Sequence, residues 1–536
     1  MERAPWRWRL PASVRTSPAF WISFGSLISF LLTWRLFNLP MVSDEGGYAY
    51  AAQRWFDGRG HLYHDIWISR PQGIFVVYGT VIKFLGGSTL DLRLVAWAFN
   101  IVTMTAVWMI ARHWRGPGVA AGAVMVFAVM MGSPAIEGFT ANAETFMAVP
   151  AAFAIITLIR AWERNWSPVW LAATGLLIGI ATQLKPSGVM SLFVAIGFIA
   201  VMTVDTDHFV RLTARRSLPV MLGFGTSLVP AIYHGYRIGF DAFVYGSVGY
   251  RLTRQSSATG SVHHHVRALS DLSARIWPLY ILLGLLALAA FMTSDSRHQP
   301  RRPSRSVHHE LRTQSALGII PRQFLVESGD PMRRLLQIWM VGCLLGISMG
   351  GDWWYHYLIQ IMAPFSIWLA VTMADLRPRL PRLAHVGLAV AVAVLLLVPY
   401  SVITKPTRAA MTSPLFGHPG YADQEVVAKY LHDHTAPDTP IFVAFDQAAL
   451  YYLADRPSTY RYLYDQELRA YPDSEAKLIE MVEGPNRPLY IVGTRQLAPF
   501  VDRGLAFWEA VQRHYVLETV VRGVPIYRAI DEPAAP

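Results

Sequence analysis

The sequence predicts a polytopic α-helical membrane protein that ends in a small α/β domain. Of its 536 residues, 53% are hydrophobic and only 15% are charged. Soluble globular domains carry about 25% charged residues, so this composition indicates a bilayer as the main solvent. The formal net charge of +11 comes from arginines between apolar segments. Such arginines orient membrane proteins, so the charge does not indicate a nucleic-acid partner.

Apolar segments of membrane-spanning length recur through residues 1–402. A helix needs about 17 to 25 apolar residues to cross the hydrocarbon core. The segments that approach this length are 19–37, 92–111, 117–133, 143–159, 169–184, 187–204, 217–236, 273–293, 335–350, 355–375 and 382–402. We therefore expect about eleven spans in a transmembrane catalytic domain.

A further apolar segment, RPQGIFVVYGTVIKFLGG at 70–87, decides the orientation. If it does not span, the loops on the N-terminal side carry 22 Lys and Arg, against 9 in the opposite loops. If it spans, the eight arginines of 294–334 move outside, against the bias of basic loops for the cytoplasm. We therefore interpret 70–87 as a juxtamembrane or re-entrant helix. The N-terminus is then cytoplasmic, and the C-terminal region lies outside a prokaryotic plasma membrane.

The chain changes character after residue 402. Short runs of β-forming residues at 440–445, 488–493, 515–521 and 524–529 alternate with the amphipathic segments QEVVAKYLHDH and EAKLIEMVEG. This alternation predicts an extracytoplasmic α/β domain over 403–536. Residues 294–334 are instead rich in Arg, His and Pro without periodicity, which predicts a mobile cytoplasmic loop.

The candidate site starts at SDEGGYAY, residues 43–50, just past the first span. Asp44 and Glu45 are ionisable groups at a membrane surface, and such groups are commonly functional. The simpler interpretation is that Ser43 caps a helix lying in the membrane interface and the two acids complement its dipole. That arrangement contributes about 0.3 to 1 kcal/mol.

More polar side chains fall on the same predicted face. They are Arg70, Glu144 with Asn142, Lys185, and His356 with Tyr357. A carboxylate beside cations at a lipid surface suits attack of an acceptor hydroxyl on a sugar linked to a polyprenyl phosphate. The carboxylate removes the hydroxyl proton, an effect of about 10²- to 10⁴-fold, while the cations neutralise the departing phosphate.

The order of these motifs resembles the GT-C membrane glycosyltransferases. The similarity is greatest to the family 39-like group, which includes lipid A aminoarabinose transferases and protein O-mannosyltransferases. It rests on the Asp44-Glu45 pair, YHDIWISRPQG at 63–73, TANAE at 140–144, LKPSG at 184–188 and WYHYLIQIMAP at 354–364. The resemblance implies a GT-C fold and a hexosyl- or pentosyltransferase that uses a polyprenyl-phosphate sugar and a cell-envelope glycan, lipid or protein acceptor.

The resemblance also implies roles for individual residues. Asp44 is the expected base, with Glu45 supporting its position or binding the acceptor. Arg70 is the expected contact for the lipid phosphate, although Arg-Pro-Gln stands where the family has Lys-Pro-Pro. Displacement by a single base and a good leaving group predicts inversion at the anomeric carbon.

The remaining candidates have less specific roles. The resemblance implies that Lys185, His356 and Tyr357 face the phosphate or the sugar. Glu144 lies at the start of a span with Asn142 shortly before it, and this position suggests contact with the acceptor or a metal. Asn142 and Tyr63 are expected to contact the acceptor or to support residues that do.

Cofactors and competing functions complete the expectations. The histidine run at 263–265 fits a solvated loop better than a metal site. No metal-binding residue is predicted, and a divalent cation is left open. Arg251 and Arg254 could reach the phosphate from that loop. A secondary transporter would need paired interrupted helices in matching halves, a symmetry the sequence does not show. A non-catalytic membrane scaffold is the third alternative.

The arginine distribution generates a topology prediction. A reporter fused after residue 310 should be cytoplasmic, and reporters after residues 60 and 430 should be external, because basic loops stay inside. Protease protection of each fusion measures the side. Fusions at 60 and 430 on opposite sides would mean that segment 70–87 spans.

Overall fold

The first three quarters of the described chain are helical. The computed structural model describes residues 13, 16–204, 206–255, 262–293, 330–349, 352–416, 421, 423–445, 447–471, 473–494 and 504–530. The predicted loop at 294–334 lies outside these residues as far as position 329, and its last residues belong to a helix that begins at Pro331.

A described helix coincides with each segment that the sequence marks as a span. In chain order the helices to residue 397 are α1 Pro18–Phe37, α2 Ser43–Phe56, α3 Gly73–Leu85, α4 Thr89–Arg115, α5 Pro117–Met131, α6 Ala143–Glu163, α7 Pro168–Leu184, α8 Met190–Val201, α9 Phe209–Ile238, α10 Phe240–Val244, α11 Val262–Arg275, α12 Trp277–Met292, α13 Pro331–Ser348, α14 Ile359–Leu376 and α15 Arg382–Leu397.

Several of these helices can cross a bilayer. Among the described residues, five helical segments are long and apolar enough: 18–37, 89–115, 143–163, 355–376 and 382–404. Helices α11 and α12 qualify only as a pair and are bent by 73°. The predicted span at 273–293 therefore contains a bend, and α12 starts only at Trp277. The count of eleven spans stays a prediction.

Helix α3 is too short to cross the bilayer alone. Its 13 residues extend about 20 Å at 1.5 Å per residue, against a hydrocarbon core of about 30 Å. The helix ends at Gly86, whose φ of 99° is in the left-handed region that favours glycine. This geometry agrees with the interpretation of 70–87 as a juxtamembrane helix.

The C-terminal region contains one mixed sheet. Its strands are β1 Ile441–Ala444, β2 Tyr490–Gly493, β3 Tyr515–Val521 and β4 Val524–Ala529, so all four predicted strands are confirmed. The order is β1-β2-β4-β3, with β1 and β2 parallel and the other pairs antiparallel. The helices of this region are α16 Arg408–Phe416, α17 Gln424–His434, α18 Ala449–Ala454, α19 Asp465–Ala470, α20 Ser474–Glu483 and α21 Gly504–His514.

Helix α2 joins the two regions. Its residues 45–52 are buried, and the helix shares one apolar core with α3 and with the strands of the C-terminal sheet. Helix α2 is therefore buried in protein, and its position in the membrane interface stays a prediction. A Cβ at Gly46 would overlap the backbone of Ala449 at the start of α18, and one at Gly47 would overlap the Tyr464 hydroxyl. The two glycines after the acidic pair thus permit close docking of the C-terminal region.

This packing predicts the effect of a methyl group at Gly46. Gly46→Ala should lower the free energy of unfolding by about 1 to 3 kcal/mol, because the backbone of Ala449 cannot move aside as a flexible side chain can. Gly225→Ala in α9 is the matched control, since nothing lies within 4 Å of its added Cβ. Thermal unfolding in detergent compares them. Equal midpoints for Gly46→Ala and wild type would contradict the docking.

Candidate active site

Glu45 forms a fully buried ion pair with Arg93. Both side chains are 0% exposed. The Arg93 Nε donates to Glu45 Oε1 at 3.0 Å, and Nη2 donates to Oε2 at 2.7 Å. This bidentate geometry is the strongest form of a carboxylate–guanidinium contact. It ties the first turn of α2 to the first turn of α4.

The remaining polar atoms of this pair hold the backbone around it. Glu45 accepts hydrogen bonds from the amides of Val42 and Ala141, at 3.0 and 2.8 Å. Arg93 donates to four carbonyls at and beyond the end of α1, those of Leu36, Phe37, Leu39 and Pro40. Carbonyls at a helix end lack intrahelical partners, and Arg93 supplies donors to these four, although the Leu36 carbonyl also accepts from the Leu39 amide. Of the two roles that the sequence allowed for Glu45, the geometry fits positioning and leaves no exposed atom for an acceptor.

Asp44 is the accessible carboxylate of the pair. Its side chain is 28% exposed, and its Oδ2 accepts a hydrogen bond from the Tyr48 hydroxyl at 3.3 Å. The Nη2 of Arg70 lies 3.7 Å from the same oxygen, and the Nε2 of His356 lies 4.0 Å from it. Burial raises the pKa of the Tyr48 phenol, so this hydroxyl remains a donor.

The structure changes one half of the capping interpretation and keeps the other. The N-cap residue is Val42, in extended conformation, and Ser43 is already helical. Asp44 and Glu45 both lie in the first turn, where their charges complement the helix dipole. The side chain that reaches back to the Val42 amide is Glu45, so Asp44 is free of that task.

Arg70 lies beside Asp44 and is held by its neighbours. Its Nε donates to the Tyr48 hydroxyl at 2.8 Å, and its Nη1 donates to the Ser69 carbonyl at 3.0 Å. The same carbonyl accepts from Arg251 Nε at 3.0 Å. Two guanidinium groups therefore meet at the Ser69 carbonyl oxygen, and a phosphate contact by Arg251 stays a prediction. The side chain of Arg254 lies outside the described part.

Tyr63 and Asn142 support backbone. The Tyr63 hydroxyl donates to the Arg70 carbonyl at 2.8 Å, and the tyrosine is 2% exposed, with φ at 70°. Asn142 is the residue before α6, and its amide donates to the Thr140 hydroxyl. Of the two expected roles, contact with the acceptor or support, these contacts fit support.

Lys185 and Glu144 form a second buried pair. The Lys185 ammonium binds Glu144 Oε1, with side-chain exposures of 6% and 2%. The ammonium also lies 3.8 Å from the centre of the Tyr357 ring, a cation–π arrangement. The sequence placed these residues on one face, and the structure brings them together.

His356 connects three carboxylates. Its Nδ1 lies 3.3 Å from Glu137 Oε2, and its Nε2 lies 3.7 Å from Glu144 and 4.0 Å from Asp44. Sequence reasoning missed Glu137. It sits in a left-handed turn with φ at 54° and lies 3.6 Å from the Arg275 guanidinium. The sequence does contain one indication of its importance, because Glu137 is the single ionisable residue in 134–142.

The carboxylates of the site do not form a metal centre. Asp44, Glu137 and Glu144 each face a cation of the chain itself, namely Arg70, Arg275 and Lys185. Among the residues that the structure describes, no group of three or more His, Cys, Asp or Glu side chains is arranged to hold a metal ion. The use of a divalent cation stays open.

The Glu45–Arg93 pair generates a stability prediction. Glu45→Gln leaves the Arg93 charge buried without a counter-charge, so the free energy of unfolding should fall by about 3 to 5 kcal/mol. Asp57→Asn is the control, because Asp57 is an exposed carboxylate paired with Arg59 and such pairs contribute about 0 to 1 kcal/mol. Thermal unfolding of both variants is the measurement. A Glu45→Gln protein as stable as the control would contradict the positioning role.

The chain is similar to a known protein family and to several solved structures. Residues 69–232 match the family of dolichyl-phosphate-mannose-protein mannosyltransferases, a range that contains Arg70, Glu144 and Lys185 and ends before His356. No curated protein sequence matches the chain. The crystal structure of ArnT from Cupriavidus metallidurans bound to undecaprenyl phosphate has a TM-score of 0.63 at 14% identity, and the match covers 97% of this chain and 100% of that one.

Two archaeal structures are also similar. Oligosaccharyltransferase AglB from Archaeoglobus fulgidus, in complex with an inhibitory peptide and a dolichol-phosphate, has a TM-score of 0.54 at 10% identity, over 96% of this chain and 74% of that one. A complex of the A. fulgidus oligosaccharyltransferase with Zn and sulfate has a TM-score of 0.51 at 12% identity, over 88% and 67%. At identities this low, the structural matches establish the fold alone. The chain thus has the fold of ArnT and of the archaeal oligosaccharyltransferase, and the motif resemblance is confirmed at the level of the fold.

Proposed function

We propose that the chain is a glycosyltransferase that moves a sugar from a polyprenyl-phosphate donor to an acceptor on the outer face of a prokaryotic plasma membrane. The observation that carries the proposal is the accessible Asp44 carboxylate next to the Arg70 guanidinium, at 3.7 Å. A base and an anion-binding group are thereby adjacent, as the reaction needs. The shared fold with proteins solved with undecaprenyl phosphate and dolichol-phosphate supports the donor class.

Asp44 acts as the base in this proposal. One of its oxygens takes the proton of the acceptor hydroxyl while that hydroxyl oxygen bonds to the anomeric carbon. The bond from that carbon to the phosphate oxygen breaks, and polyprenyl phosphate leaves with the bonding electrons. Attack opposite the leaving group inverts the anomeric configuration. The hydrogen bond from Tyr48 orients the carboxylate without supplying a charge.

Arg70 and Arg251 receive the phosphate. A guanidinium presents its donors in a planar fork that matches two phosphate oxygens, and these two groups already meet at the Ser69 carbonyl. Lys185 is bound to Glu144, so we assign it to the wall of the site with Tyr357. We assign His356 to a position among the carboxylates of Asp44, Glu137 and Glu144, where its imidazole contacts all three.

The orientation follows from packing and charge together. Helix α2 carries Asp44 and docks through Gly46 on Ala449 of the C-terminal region, so we assign the active site and this region to the same side. The arginine distribution assigns that side to the exterior. About eleven spans, an odd number, fit both assignments.

The proposed base generates the principal activity prediction. Asp44→Asn should lower turnover by about 10²- to 10⁴-fold, because the amide preserves shape but accepts no proton. Donor binding should remain. Asp65→Asn is the control, since Asp65 is an exposed carboxylate of the same region, and its turnover should match wild type. The measurement is transfer by purified protein supplied with a polyprenyl-phosphate sugar. Near-normal turnover of Asp44→Asn would move the base to Glu137 or Glu144.

The phosphate site generates a separate prediction. Arg70→Lys keeps the charge but loses the fork and the bond to Tyr48, so the KM for the donor should rise about tenfold or more. Arg251→Lys should act in the same direction. Arg59→Lys is the control, because Arg59 pairs with the exposed Asp57. Donor kinetics at saturating acceptor give the result, and unchanged donor KM in both site variants would remove the assignment.

A further inference from the structure

A second cavity lies beside the proposed active site. Its volume is about 250 Å³, slightly below the range of about 300 to 1,000 Å³ typical of pockets for drug-sized ligands. We call it the outer pocket. The residues that line it are His264, Arg267, Ala268, Asp271, Asp352, Trp353, Trp354 and Tyr355.

The outer pocket adjoins the catalytic residues along the chain and in space. Tyr355 precedes His356, and its ring lies 3.9 Å from the Arg275 guanidinium, which also contacts Glu137. Asp352 accepts from the Gln466 amide of α19 at 3.0 Å. The pocket therefore lies where α11, the 352–355 segment and the C-terminal region meet.

Helix α11 forms one wall of the outer pocket, contrary to the sequence-based expectation. The histidine run at 263–265 lies in this helix, so the expected solvated loop was wrong. His264 Nε2 lies 3.1 Å from Asp352 Oδ1. This contact holds α11 against the 352–355 segment, so the two elements together form one wall of the pocket.

Two tryptophans give the outer pocket its chemical character. Trp354 is 51% exposed, so one large aromatic surface is available. The indole Nε1 of Trp353 is buried and has no hydrogen-bond partner among the described residues, which is uncommon for a buried donor. Trp353 also has φ at 51°, unusual for a bulky residue, and such residues cluster at ligand sites.

We propose that the outer pocket binds one sugar ring of the acceptor, which makes the acceptor a glycan or a glycan-bearing molecule. This inference rests on the proposed transfer function and names its substrate class. A sugar ring offers an apolar face for Trp354 and hydroxyl groups for the charged side chains of the pocket. Asp271 and Arg267 supply an exposed acceptor and an exposed donor. The carboxylates Asp271 and Asp352 disfavour an anionic group, and the charged side chains of Arg267 and Asp271 disfavour an acyl chain.

Binding of simple sugars to the full-length protein tests the outer pocket. The probes are methyl α-mannopyranoside, methyl α-glucopyranoside, methyl N-acetyl-β-glucosaminide and methyl α-arabinofuranoside, measured by saturation-transfer NMR with protein in nanodiscs. We expect at least one to bind saturably. Trp354→Ala should weaken that binding about three- to tenfold through loss of stacking, and Asp271→Asn should weaken it through loss of an acceptor. Trp34→Ala is the control, because Trp34 is 54% exposed elsewhere.

Three results would overturn the inference. They are no saturable binding of any glycoside, binding that neither variant changes, and Trp354-dependent binding of a serine- and threonine-containing peptide in place of sugars. The test is separate from the reaction, because Asp44→Asn protein should bind the glycoside as wild type does. Glycoside binding without any transfer activity would refute the proposed function alone. Transfer activity without glycoside binding would refute the outer pocket alone.

Discussion

The buried ion pair between Glu45 and Arg93 is the constraint on which the site depends. Two charges without solvent are stable only when their hydrogen-bonding capacity is satisfied. Here the pair bonds with amides and carbonyls from the end of α1, the start of α2 and the 133–142 segment. One interaction thus fixes the loop before Asp44 and the backbone that precedes Glu144. Asp44 precedes Glu45 in the sequence. The ion pair therefore holds the Asp44 backbone in position and leaves its side chain accessible.

Each of the four residues from Asp44 to Gly47 has a different structural or proposed chemical role. Asp44 faces the cations, and Glu45 turns into the core. Gly46 and Gly47 admit α18 and the Tyr464 hydroxyl at distances that no side chain allows. A short motif therefore joins the proposed chemistry, the membrane helices and the C-terminal region. This division explains why an acidic pair and a glycine pair occur side by side.

The sequence predicted the helices and strands better than the individual contacts. The four strands and the helix at 70–87 follow from local patterns, which alternation, apolar length and turn residues encode directly. The convergence of Asp44, Arg70, Lys185 and His356 was also foreseeable, because the sequence predicts all four near the ends of apolar segments on one face. The burial of α2 and the role of Glu45 could not be predicted from the sequence, because both depend on partners about 50 to 400 positions away. Glu137 carried only the weak signal of a lone acid in a loop.

The central claim is that this chain cleaves a polyprenyl-phosphate sugar and transfers the sugar. Lipids extracted from cells that lack the protein should contain an accumulated polyprenyl-phosphate sugar. Purified wild-type protein in liposomes should convert that lipid to polyprenyl phosphate and a glycosylated acceptor, detected by mass spectrometry. Movement of the intact lipid across the bilayer without cleavage would contradict the claim and favour a transporter.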